Sequence, residues 1–123
     1  MKVITTGSRP TGSYSPAIVA SGTFVFVSGQ GPLTDGEVIS GTVAEQTRLA
    51  LENVRAILAQ AGLEPADVVR CGVFLADIAA FDEMDAAYRE FFAGHLPART
   101  TVGAALSGIS VEIDCIARMG AGQ

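Results

Sequence analysis

The stretch "PARTTVGAALSGISVEIDCIA", residues 97–117, decides how the chain is read. Its two halves, 98–106 and 110–117, are rich in β-branched and small apolar residues, and Ser107-Gly108-Ile109-Ser110 between them has the composition of a turn. The pattern predicts a β-hairpin. Inside it stand Arg99, Glu112 and Asp114, charges whose burial is costly unless each has a partner. Alternate residues of a strand share a face, so Arg99, Thr101, Gly103 and Ala105 fall on one side, and Glu112 and Asp114 share a side of the next strand. If the turn pairs Ser107 with Ser110, Ala105 lies across from Glu112 and Gly103 across from Asp114, and the arginine and the carboxylates face the same way. A slip of one residue separates them. The small residues at 103 and 105 leave space above the acids. Two readings stay open at this point. Arg99 grips the carboxylate of a small anion while a nearby acid positions a water; or Arg99 and Arg118 simply neutralise Glu112 and Asp114 as a structural ion pair.

Upstream of this stretch, Phe81, Met84, Tyr88, Phe91 and Phe92 recur at steps of three and four and end at Gly94, which predicts a helix whose apolar stripe is core packing. Before it, "VVRCGVFLA" (68–76) has β character. Residues 42–61 predict another helix: Thr42 and Glu45 fit a capping box, Ala50, Leu51, Val54, Ile57, Leu58 and Ala61 form one face, and Gly62 stands where a chain-reversing glycine belongs. The first third, with "VIT", "AIVA", a Ser21-Gly22 turn, "TFVFVSGQ", an Asp35-Gly36 turn and "EVI", reads as a small antiparallel set. Two helices cover one face of such a sheet. Yet "FVFV" and "VFLA" are apolar at consecutive positions, the mark of strands buried on both sides. Closed association of identical chains is the simplest cover for the second face.

Composition narrows the function classes. A chain of 123 residues forms one domain, 1–123, and with 49% apolar and 17% charged residues it has little polar surface for a monomer. A net charge of −5 and the lack of a basic cluster argue against nucleic-acid binding. Lys2 at the N-terminus is the one lysine, so a buried Schiff-base lysine for pyridoxal phosphate has no candidate. Cys71 and Cys115, each in an apolar run and far apart in sequence, suit free thiols in a reducing compartment. With no signal-peptide pattern and no membrane-spanning run, the expectation is a soluble cytoplasmic protein.

Among the remaining candidates, His95 follows a predicted helix end, and a favourable interaction there explains it without catalysis; a single histidine also rules out a His-based metal site. "SGQGP" supplies Gly29 and Gly31, but Thr34 replaces the third glycine of a dinucleotide fingerprint, so these glycines mark a strand end that turns or lies close to something. Tyr14, in the turn-rich "TGSYSP", either anchors its loop or faces a ligand.

Taken together, "GSYSPAIVASGTFVFVSGQGPL", "QTRLALENVRAILAQAGL", "VVRCGVFLADIAAFDEMDAAYREFF" and "PARTTVGAALSGISVEIDCIA" resemble the Rid family of reactive-intermediate deaminases, also called the YjgF family, over essentially the whole chain. The resemblance implies an α+β, chorismate-mutase-like fold (an α/β sandwich with two helices on one face of a sheet), assembled as a homotrimer with active sites between subunits. It also implies cofactor-free hydrolysis of enamine and imine acids such as 2-aminoacrylate or 2-iminobutyrate to 2-oxo acid and ammonia, as in 2-iminobutanoate/2-iminopropanoate deaminases. By the same resemblance Arg99 is the carboxylate-binding arginine, Glu112 orients the hydrolytic water, and Tyr14 and Gly29 complete the substrate site. Four departures stand out: Ser13 and Pro16 replace the commoner Pro and Gln, Thr101 stands where many members have Cys, and Asp85 where many have Asn. If Asp85 lines the cleft, its charge disfavours dicarboxylates and favours a cationic imine nitrogen. Other chemistries on such folds are a non-catalytic metabolite sensor and an RNA-binding translation inhibitor or ribonuclease.

Overall fold

The computed structural model describes residues 1–5 and 10–120. A short ribbon pairs β1 (Lys2–Ile4) with β2 (Ala17–Val19). The central sheet is built from β3 (Thr23–Gln30), β6 (Val68–Leu75), β7 (Ala98–Gly103) and β8 (Val111–Met119), in the order β3-β8-β6-β7. A small hairpin joins β4 (Leu33–Thr34) to β5 (Glu37–Val38), and its Asp35-Gly36 turn has both central residues at positive φ, 51° and 80°, as a twisted two-residue turn demands. This mixed sheet with two helices is the expected α+β architecture.

Both helices begin and end where the sequence places them. α1 (Val43–Gln60) opens on a reciprocal capping box: Glu45 N–H donates to Thr42 Oγ1 (3.1 Å) and Thr42 N–H to Glu45 Oε1 (2.9 Å). Gly62, at φ +73°, lets the chain turn away. α2 (Phe81–Phe92) ends at Ala93 and Gly94, both left-handed, with Ala93 N–H bonded to the Arg89 carbonyl. His95 has a structural partner, since its Nε2 lies 2.9 Å from the Val68 carbonyl.

The core forms between these helices and one face of the sheet. Leu51, Val54 and Leu58 of α1 and Met84 and Tyr88 of α2 meet Val27, Cys71, Val73, Ile113 and Cys115 of the strands, all essentially sealed from solvent. Cys71 and Cys115 are cross-strand neighbours and remain free thiols, and burial pushes each up to about 12. Polar side chains are buried too. Gln46 links two connections, donating to the Ile39 carbonyl (2.8 Å) and accepting from Ser110 N–H (3.0 Å).

The hairpin predicted from residues 97–117 does not form. β7 runs parallel to β6, and β8 runs antiparallel to β6 on its other side, so β6 separates them. Gly103 and Val111 both lie beside Leu75, and the intervening loop wraps the end of β6, with Ala104 N–H bonded to the Leu75 carbonyl and Ala76 N–H to the Ser110 carbonyl. A Ser-Gly turn encodes a reversal of direction but not which strand becomes the neighbour. The nearly continuous apolar run of β6 demands a central place with a partner on each side, and that demand prevails.

Candidate active site

Strand register settles which way the charges point. Cys71 is paired with both Arg99 and Cys115, so these three share the helix side of the sheet. Phe74 is paired with both Glu112 and Val102, three residues along, so these face the opposite side. Arg99 and Glu112 of one chain therefore point to opposite sides of the sheet, and the expected shared face within one chain is wrong because the inserted strand β6 replaces the assumed register. The ion-pair alternative fails in its stated form too. Asp114 accepts from Gly72 N–H (2.9 Å), and Arg118 donates to the Ser21 carbonyl (2.6 Å).

On the helix side, Arg99 sits at the sheet edge with a side chain only 1% exposed. Three aromatic rings surround it, with centroids 4.6 Å (Tyr88), 5.4 Å (Phe81) and 5.7 Å (Tyr14) from the guanidinium carbon. Such rings favour a cation through their electron-rich faces. Its Nη1 donates to Asp85 Oδ1 at 2.7 Å. Asp85 also accepts from Ser13, from N–H at Oδ1 (3.0 Å) and from Oγ at Oδ2 (2.8 Å), and Arg89 Nε donates to Ser13 Oγ (2.9 Å). Burial works against the Asp85 charge, but the hydrogen bonds from Arg99 and Ser13 outweigh it and hold its carboxyl below the ordinary range. Ser13 and Asp85, noted separately as departures, are thus one feature. Asp85 is not a free charge in a cleft; it is the counter-ion of Arg99.

The loop over Arg99 owes its position to a glycine that sequence reading missed. A Cβ on Gly12 would lie 2.9 Å from Arg99 Nη2 and 3.0 Å from the Phe81 ring, so any larger residue would have to push the guanidinium aside. Ser15 N–H bonded to the Pro97 carbonyl pins the same loop to the start of β7. A pocket of about 250 Å³ opens beside Arg99, walled by Thr11, Tyr14, Phe81, Thr100 and Thr101. The Thr101 hydroxyl is buried with no hydrogen-bond partner among the described residues. Tyr14 serves both roles left open for it: its ring faces this pocket, and its hydroxyl contacts Thr11, whose hydrogen bonds hold the phenol below its ordinary range. Phe81 and Tyr88, expected only to pack, also flank the arginine. Their spacing with Asp85, at 81, 85 and 88, is one helical face, a signal present in the sequence.

On the other side of the sheet, Glu112 lies over Gly29. A Cβ there would come within 2.6 Å of Oε2, which explains the glycine as a close approach. Glu112 has no hydrogen-bond or ion-pair partner among the described residues, and next to it the face carries Phe24, Ile116 and Phe26, the last 74% exposed. The structure thus brings Arg99, Asp85, Tyr14 and Thr101 together on one face, and Glu112 with Gly29 on the other.

A groove between the helices is lined by Arg48, Glu52, Arg55, Glu90 and Phe91, with Arg55 stacked on Phe91 (4.6 Å) and paired with Glu52 (3.1 Å). No helix among the described residues is long and apolar enough to cross a membrane.

The family model described as Endoribonuclease L-PSP matches residues 6–119. The chain is 41% identical to protein mmf2, mitochondrial, of Schizosaccharomyces pombe over 86% of its own length and 87% of the relative's. It is 39% identical to the 2-iminobutanoate/2-iminopropanoate deaminase of Rattus norvegicus over 97% and 90% of the two chains. Among solved structures, the Rid-family protein YyfB of Yersinia pestis superposes with a TM-score of 0.85 at 28% identity, covering 96% and 98% of the two chains. Escherichia coli TdcF with bound serine gives 0.74 at 35% identity, covering 98% and 100%. With a match that spans nearly the whole chain, and relatives this similar over most of their length, the chain belongs to the Rid family.

Proposed function

We propose that the protein is a hydrolytic deaminase of small, reactive enamine and imine acids of the 2-aminoacrylate and 2-iminobutanoate type. In this reading each chain is one domain, three chains assemble, and each active site joins the Arg99 pocket of one subunit to Glu112 and Gly29 of its neighbour. The observation that carries it is the pair of half-sites: a buried, aromatic-walled arginine on one face, and an unpaired carboxylate on the other beside an uncovered apolar surface. The rat relative's name and the serine bound to TdcF point to the same class of small amino-acid-derived ligand.

The chemistry follows from the groups. Arg99, assisted by the Thr101 hydroxyl, fixes the substrate carboxylate, and Tyr14 closes over it. An enamine first tautomerises to its imine. Glu112 accepts a hydrogen bond from water, which adds to the C=N carbon; the proton passes to nitrogen, the C–N bond breaks, and ammonia leaves with a 2-oxo acid. Imine plus water gives oxo acid plus ammonia, so no cofactor is invoked. A cationic iminium is stabilised beside Glu112. The reading includes a cytoplasmic location.

Generating 2-iminobutanoate from threonine with a threonine dehydratase, and following oxo-acid release, tests this. The wild-type protein accelerates release, and Arg99→Ala lowers kcat/KM by about 10²-fold or more. Carboxylate binding without any turnover would mark a sensor instead, and unchanged rates in Arg99→Ala would end the assignment.

A further inference from the structure

We propose that Asp85, as the built-in counter-charge of Arg99, is the specificity-determining residue of this pocket and restricts it to acids that carry a single carboxylate. For turnover the inference rests on the deaminase reading; as a binding rule it stands without it. Asp85 is held by three hydrogen bonds, one from Arg99 Nη1 and two from Ser13, so it cannot swing aside without losing all of them. Ser13 is itself fully buried and tied to Arg89. Arg89 lies on the exposed side of α2, where solvent screens its charge.

Among the described residues that line the pocket, Arg99 is the only charged one. Together, Arg99 and Asp85 sum to zero. One substrate carboxylate still finds hydrogen bonds, from the unspent guanidinium edge and from the Thr101 hydroxyl. A second carboxylate finds no cation among the described lining residues, only the rings of Tyr14 and Phe81, the field of Asp85 and, in the proposed assembly, the like charge of the neighbour's Glu112. A like charge at ~8–10 Å in a medium of effective dielectric ~20 costs on the order of tenfold in affinity. Thr101 can donate a hydrogen bond but cannot offset that charge.

Calorimetric titration of the full-length protein with butanoate, succinate and monomethyl succinate tests the rule directly. The wild type binds butanoate and monomethyl succinate about tenfold more tightly than succinate. Asp85→Asn, which keeps the shape and removes the charge, shrinks that preference about tenfold, whereas Ser13→Ala, which keeps the charge, preserves it. Turnover of 2-iminobutanoate against 2-iminosuccinate moves in parallel, the diacid gaining in Asp85→Asn chiefly through KM. Equal wild-type affinity for succinate and its monomethyl ester overturns the proposal even if Asp85→Asn does not fold, as does a preference unchanged within twofold in that variant. A wild type that hydrolyses no imine yet shows the titration preference would sink the deaminase reading and leave the charge rule standing. Failure to bind butanoate at all would sink both.

Discussion

The two faces of the central sheet are made by the same four strands and are chemically unlike. On the helix side Val73, Ile113 and Cys115 are sealed under α1 and α2, and Arg99 there is matched by Asp85 and flanked by three rings. On the other side Phe26 is largely exposed, Phe24 and Ile116 line a shallow apolar cleft of about 360 Å³, and Glu112 has no partner among the described residues. The first face is complete within one chain. The second carries Phe24, Phe26 and Ile116 beside Arg70, Glu112, Asp114 and Arg118, and neither helix covers it.

The contrast can be broken most sharply on β8, where Ile113 and Ile116 point to opposite faces. Ile113→Ala opens a cavity in the sealed core and is expected to cost about 2–5 kcal/mol in denaturant unfolding. Ile116→Ala costs far less in the isolated subunit, and equal losses would show that the faces do not differ as described. Phe26→Asp places a charge on the uncovered face: light scattering should report a folded single chain in place of the assembly, with imine turnover lost alongside. A charged variant that keeps its mass would remove this face from the interface. The smallest expected effect concerns the sealed face. Because the Asp85 carboxyl is held below its ordinary range, its ionised form contributes stability that is present above about pH 4 and is lost as the pH falls through its depressed value. Asp85→Asn should therefore lower Tm by a few degrees at neutral pH and converge with the wild type in strong acid; a gap that persists at the lowest pH would contradict it.

Much of the fold was legible in the residues. The capping box at Thr42 and Glu45, the stop glycines at 62 and 94, and the doubly apolar run of β6 each encode a local or nearest-layer constraint, and the structure obeys them. The strand order was not legible, because the Ser-Gly sequence after β7 specifies a turn and says nothing of β6 lying between β7 and β8. That error carried into the site. Arg99 is in register with Cys71 and Glu112 with Phe74, three residues along β6, so the two point to opposite faces. The contacts between Ser13 and Asp85, and between Gly12 and Arg99, join residues more than 70 positions apart, a distance over which one sequence offers no periodicity to read.

The central claim, that a working site takes its arginine from one chain and its glutamate from another, is open to subunit complementation. On this reading Arg99→Ala and Glu112→Gln should each be nearly inactive, and their equimolar mixture, unfolded and refolded together, should recover roughly a quarter of wild-type imine turnover, because random assembly pairs an intact arginine with an intact neighbouring glutamate at about one site in four. A refolded mixture that assembles normally and stays as inactive as the separate variants would contradict the account.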